Sequence, residues 1–113
     1  METIFDKIIA GEIESEFVYE DDNVVAFKDI NPQAPVHVLV LPREKFVSLI
    51  DAKEIDAQRL GRFIQGVSKC AEKLGLEKDG YRVVINSGKQ AQQSVEYVHA
   101  HIIGGRQLQW PPG

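Results

Sequence analysis

Gln93-Ser94-Val95-Glu96-Tyr97-Val98-His99-Ala100-His101-Ile102-Ile103-Gly104-Gly105 is the stretch from which the rest of the chain is read. Successive side chains of a strand point to opposite faces. The alternation therefore predicts a strand over Val98 to Ile103, with His99 and His101 on one face. Val98, Ala100 and Ile102 take the other face, where they can pack on a core. A rise of about 3.4 Å per residue sets the two imidazoles roughly 7 Å apart along the strand. At that spacing both can address one phosphate-sized group.

Working outward, the third and last histidine, His37, falls in the β-branched run Val36-His37-Val38-Leu39-Val40-Leu41, which Pro42 closes. Before it, Asn31-Pro32-Gln33-Ala34-Pro35 cannot continue a ladder, because proline has no amide to donate. Phe17 to Glu20 and Val24 to Lys28 read as two strands joined by the turn formers Asp21-Asp22-Asn23. Near the start, Ile4, Phe5, Ile8 and Ile9 follow helical spacing up to Gly11. Asp51 followed by Glu54 predicts the start of a long helix. Its apolar stripe runs through Leu60, Phe63, Ile64, Val67, Cys70, Ala71 and Leu74 and stops at Gly75. Tyr81 to Ile85 is a further strand. Strands on short connections plus one long helix predict an antiparallel α+β domain.

At 113 residues the chain fits a single domain spanning 1–113. An apolar content of 43% and a charged content of 27% are ordinary for a globular fold. No apolar run has the length of a membrane span, and Met1 to Lys7 lacks the basic-then-apolar pattern of a signal peptide, so a cytoplasmic location is expected. A lone cysteine, Cys70, cannot form an internal disulfide and is expected to pack in the helix stripe. A net charge of −4 argues against a broad basic face for a nucleic-acid polymer. The objection does not extend to a mononucleotide, which carries little charge.

The histidines leave two chemical readings open. A histidine in a half-buried strand is commonly a hydrogen-bonded structural residue, but a His-x-His pair incurs the desolvation cost twice, which brings the functional reading level with the structural one. His37, His99 and His101 can supply three nitrogens to a metal such as zinc. They can equally supply a nucleophile and its helpers for phosphoryl chemistry, and spacing alone does not separate the two.

Several motifs in order resemble the histidine triad (HIT) family, in particular its Hint branch. These are the opening Thr3-Ile4-Phe5-Asp6-Lys7-Ile8-Ile9 with Gly11-Glu12-Ile13, the segment Phe27 to Pro42, the His-x-His strand, and the tail Gly104 to Gly113. The resemblance implies the HIT fold: a five-stranded antiparallel sheet with one long helix and a short N-terminal helix, joined across a homodimer into ten strands. It implies a hydrolase that cleaves the phosphorus–nitrogen bond of purine nucleoside 5′-phosphoramidates with no cofactor and no metal. His99 would be the nucleophile that attacks the α-phosphorus and forms a nucleotidyl-histidine, which water then releases as the nucleoside monophosphate. His101 and His37 would contact the phosphate, and Ser94 would bond the leaving atom or a phosphate oxygen. A backbone carbonyl at Tyr97 would accept a hydrogen bond from the other nitrogen of His99. Asp29 would read the ribose hydroxyls, since a carboxylate accepts the two bonds they offer. Phe27, Ile30, Ile4 and Ile8 would line the base pocket with Lys28 beside them. Asn86 and Gln93 would lie on the phosphate side, and Trp110 would carry the tail to the partner's site.

Three departures accompany the resemblance. Tyr97 replaces the first histidine of the triad, which opens an alternative: a nucleotide-binding module with weak or no turnover. Ala91-Gln92 stands where the Hint branch usually has two glycines. Thr3 and Asp6 stand where some relatives have cysteines for a structural zinc, so no thiolate zinc site is expected.

Overall fold

The Asp21 carboxylate accepts the amides of Asn23 and Val24, at 2.7 and 2.9 Å, and so turns the chain between its first two strands. In this computed structural model, which describes residues 1–113, those strands are β1 (Phe17–Glu20) and β2 (Val24–Lys28). Ahead of them lies the short helix α1 (Ile4–Ile9), and after them β3 (Val36–Pro42). A 3₁₀ turn (Leu49–Glu54), the helix α2 (Ala57–Lys73), β4 (Tyr81–Val84) and β5 (Ala100–Gly104) complete the chain. The strands form one antiparallel sheet in the order β1-β2-β3-β5-β4. No helix is long and apolar enough to cross a membrane.

Strand alternation divides the sheet into two apolar faces. Val24, Ala26, Val38, Val40, Ala100 and Ile102 point to α2, where Phe63, Val67, Cys70 and Ala71 close the main core. Val25, Phe27, Leu39 and Leu41 point the other way and pack with Phe5 of α1 and with Tyr97. His37 and His101 belong to this second face by parity, so the same pleat that fills the core presents them opposite it.

Two element starts differ from the sequence reading. Asp51 does not start the long helix. It completes a cap begun by Ser48, whose hydroxyl accepts the Ile50 amide at 3.1 Å while Asp51 accepts the Ser48 amide at 3.3 Å. That turn ends at Ile55 in an extended conformation, and α2 restarts from Asp56, which caps the Arg59 amide at 3.2 Å. An acid three residues behind a serine and an acid at a helix start look alike in sequence. The last strand also begins later, at Ala100 rather than Val98, because the Val98 amide donates to the Phe46 carbonyl at 2.9 Å instead of joining a ladder. His99 thus lies just outside the strand while keeping its parity with His101. At the other end of the helix, Gly75 has φ +76, a left-handed stop that suits glycine.

The close approach of α2 to β2 depends on Gly66. A Cβ there would lie 2.6 and 2.7 Å from the two methyl groups of Val24. Alanine is the better helix former by about 1 kcal/mol, but overpacking a core costs about 1–3 kcal/mol. Gly66→Ala is therefore expected to lower stability in urea denaturation, and an unchanged or raised midpoint would show that the contact is not tight.

Candidate active site on the histidine face

β3 and β5 pair so that Leu39 faces His101 and His37 faces Ile103, which makes His37 and His101 diagonal neighbours. Their rings lie 5.1 Å apart, with His37 Nε2 2.8 Å from His101 Nδ1. His99 stands on the other side of His101, also 5.1 Å between ring centres. Its far edge meets the Phe5 ring at 5.1 Å and 83°. Asp29 follows β2, and its amide continues the ladder by donating to the His37 carbonyl at 3.0 Å. That bond brings its carboxylate beside the imidazoles, with Oδ2 3.4 Å from His37 Nε2 and Oδ1 accepting the Asn31 amide at 2.8 Å.

The partners of the rings assign their protons. The Gln33 amide can only donate, and it donates to His37 Nδ1 at 3.0 Å. His37 therefore carries its proton on Nε2 and donates it to His101 Nδ1. His101 in turn holds its proton on Nε2. Its pKa is pushed down to about 4, first by burial and then by the charges that His99 and His37 would carry, with Asp29 opposing. His99 Nδ1 lies 2.8 Å from the Tyr97 carbonyl, which can only accept, so the neutral ring leaves Nε2 with a free lone pair. One bare nitrogen thus stands beside one N–H donor, a pair suited to attack at phosphorus and to hydrogen bonding of its oxygens.

The other residues singled out by sequence are placed as follows. Phe27 is buried, whereas Ile4 and Ile30 are exposed and Ile8 is half-buried against Phe5's cluster. Lys28 and Ser94 are exposed. The Asn86 amide donates to the Ala91 carbonyl at 2.8 Å, which braces the loop ahead of Ser94. Gln93 spends its whole carboxamide inside the protein, accepting from the Gly88 amide and donating to the carbonyls of Val47 and Val95. Gln92 adopts φ +60, the left-handed region that glycine occupies at least cost. Trp110 is exposed, its ring 5.7 Å from the Arg82 guanidinium. Sequence reasoning missed the position of Phe5 against His99 and the bond from Gln33. These contacts cross between elements and leave no periodic trace.

Tyr97 is buried between Phe5 and the sheet, and its hydroxyl donates to the Pro42 carbonyl. Burial and then the Asp6 charge push the phenol far above its ordinary pKa. Its side chain is therefore a fixed neutral strut, and only its carbonyl reaches the histidines.

An antiparallel α+β domain with three imidazoles and a carboxylate gathered on the face away from its long helix defines a narrow class of protein. The HIT domain model matches residues 10–108, and the chain belongs to that family. A protein of Zea mays named "14 kDa zinc-binding protein" is 52% identical over 113 residues, covering 98% of this chain and 88% of that protein. A protein of Arabidopsis thaliana named "Adenylylsulfatase HINT1" is 50% identical, covering 98% and 76%. Among solved structures, a HIT family hydrolase from Legionella pneumophila superposes with a TM-score of 0.92 at 40% identity, covering 99% of this chain and 100% of that one. A histidine triad nucleotide-binding protein from Candida albicans gives 0.80 at 33% identity, covering 97% and 83%.

The zinc in one relative's name is testable against these residues. Asp29, His37 and His101 bring one ligand atom each within 4.8 Å of one another. A histidine that binds a metal offers a lone pair and donates its other N–H to an acceptor. His37 does the opposite, since its Nδ1 accepts the Gln33 amide and its Nε2 holds the proton. The set does not fit a zinc ion.

The same proton arrangement has a pH signature. The folded value of His101, about 4, lies below the ordinary 6.5, so the unfolded chain binds a proton first. Stability contributed by the neutral ring is present above about 6.5 and is lost as pH falls toward 4. NMR titration is expected to place the His101 midpoint near 4; a midpoint above 6 would contradict the assignment.

Proposed function

We propose that this chain is a nucleotide-binding hydrolase that cleaves the phosphorus–nitrogen bond of purine nucleoside 5′-phosphoramidates through a covalent nucleotidyl-histidine at His99. The observation that carries the reading is the Nδ1 bond of His99 to the Tyr97 carbonyl, which leaves Nε2 bare. That lone pair attacks the α-phosphorus while the bond to the amine breaks. The departing nitrogen takes its proton from solvent and leaves as the amine, while the Nε2–H of the neutral His101 ring bonds a phosphate oxygen; water then breaks the phosphorus–His99 bond and releases the nucleoside monophosphate. Ser94 bonds a phosphate oxygen or the leaving atom. His37 keeps His101 in its donor form, and the Asp29 carboxylate accepts from the ribose hydroxyls. Phe27, Ile4, Ile8 and Ile30 receive the base.

The same reading makes the protein a cytoplasmic homodimer. Tyr81 and Val83 are exposed on the edge strand β4, so apolar side chains are available on an unpaired strand edge. Pairing there would extend the sheet to ten strands and bring Trp110 toward the partner's site.

A second reading, a nucleotide-binding module with weak turnover, is favoured by two features. The Tyr97 hydroxyl is committed to Pro42 and unavailable for proton transfer, and Gln92 places a side chain at a left-handed backbone position. One experiment separates the two. Protein mixed with adenosine 5′-phosphoramidate and EDTA is quenched and searched by mass spectrometry for a nucleotidyl adduct. The adduct is expected on His99 and absent in His99→Asn. AMP binding by calorimetry without adduct or hydrolysis would replace the hydrolase with the module, and Tyr97→His would then be expected to raise the rate.

A further inference from the structure

Lys45 touches none of the imidazoles, yet it is where three segments of the chain meet. Its ammonium donates to the Asp6 carboxylate at 2.9 Å and to the Met1 carbonyl at 2.7 Å, and it lies 5.6 Å from the centre of the Tyr97 ring. The Asp6 carboxylate is itself fixed by the Thr3 amide at 2.7 Å and the Thr3 hydroxyl at 2.8 Å. Burial raises the Asp6 carboxyl, but the bonds from Lys45 and Thr3 outweigh it and hold the group at about 2. Asp6 is therefore ionised whenever the protein is folded near neutrality.

Two of these partners, Asp6 and Tyr97, lead to His99. Asp6 lies on α1, whose Phe5 ring packs edge-on against His99 at 5.1 Å and against Tyr97 at 6.3 Å. Tyr97 supplies the carbonyl that accepts the His99 Nδ1 proton at 2.8 Å. The His99 ring is thus held by Phe5 at its edge and by Tyr97 at one nitrogen, and both holders are fastened to one ammonium. We propose that Lys45 is a positioning residue for His99: shared between the Asp6 carboxylate and the face of Tyr97, its ammonium locks α1 to residue 97 and so fixes the orientation and tautomer of the His99 ring.

An exposed ion pair alone would be a weak device, because two long side chains must be ordered to form it. Here the carboxylate is already ordered by the Thr3 cap, and the cation gains a π face in addition to its ion pair. A tetrahedral ammonium can donate in separate directions to the Met1 carbonyl and the Asp6 carboxylate. The arrangement also gives Tyr97 a purpose other than proton transfer. It offers an aromatic face to the cation on its ring and a carbonyl to the nucleophile on its backbone.

The placement of the ring is independent of catalysis, and only its effect on rate rests on the hydrolase reading. Proton–nitrogen NMR of the histidine rings is expected to show a protected His99 Nδ1–H in the native protein. In Lys45→Met, which keeps the aliphatic stem, that proton is expected to exchange faster and the Nε2–H tautomer to appear, with the sheet amides unchanged. Lys45→Arg, which keeps the charge, is expected to restore most of the protection. The single-turnover rate of His99 nucleotidylation should fall about ten- to a hundred-fold in Lys45→Met, as for a slightly misplaced reacting group, while AMP affinity stays within about two-fold. A folded Lys45→Met with native protection at His99 Nδ1 would overturn the proposal, whether or not the wild type turns over. If Lys45→Met does not fold, Asp6→Asn, which keeps the helix cap and removes the charge, is read by the same signal and decides in the same way.

Discussion

Leu39 lies opposite His101 in the ladder between β3 and β5, and that register is the constraint on which the site depends. A strand side chain has only two faces to choose from, so slipping the pairing by one residue would drive His37 or His101 into the core and expel Val38 or Ile102. The cost of exposing such residues, about 1.5–3 kcal/mol each, makes the slip prohibitive and aligns the imidazoles as a by-product. The core under α2 therefore positions groups it never touches. Gly66 takes part in the same way, since it lets α2 settle closely on Val24.

With the rings aligned, backbone groups settle their chemistry. A carbonyl at Tyr97 and an amide at Gln33 are fixed dipoles of opposite sense, one able only to accept and the other only to donate. They set opposite tautomers on His99 and His37, and the direct contact between His37 and His101 passes the second choice on. Burial keeps His101 neutral, so it donates a hydrogen bond without adding a cation to the site. The proton pattern that makes His99 a nucleophile in the proposed reaction is also the one that makes the neighbouring cluster a poor home for a metal.

Tyr97 shows how a departure from the family pattern can be absorbed. The resemblance marked it as a lost histidine, and the side chain spends its hydroxyl on the Pro42 carbonyl. What His99 takes from this position is a backbone carbonyl, which every residue carries. The ring, packed against Phe5 and under the Lys45 ammonium, became part of the frame.

The chain's own pattern was enough to determine the strands, the long helix and the face that His99 and His101 share, because burial on a pleated or helical element imposes a period that can be read in one dimension. It was also enough for the family, since several motifs in order carry more than any one of them. The start of the long helix was misplaced, because a serine cap completed by Asp51 looks the same as a helix beginning at Asp51. Asp29 beside His37, Phe5 beside His99, Gln33 beneath His37 and Lys45 between Asp6 and Tyr97 were decided by the tertiary structure alone. Each is a single contact between side chains or backbone groups of different segments, and such contacts have no period. Only closing the sheet and laying α1 across its second face brings them together.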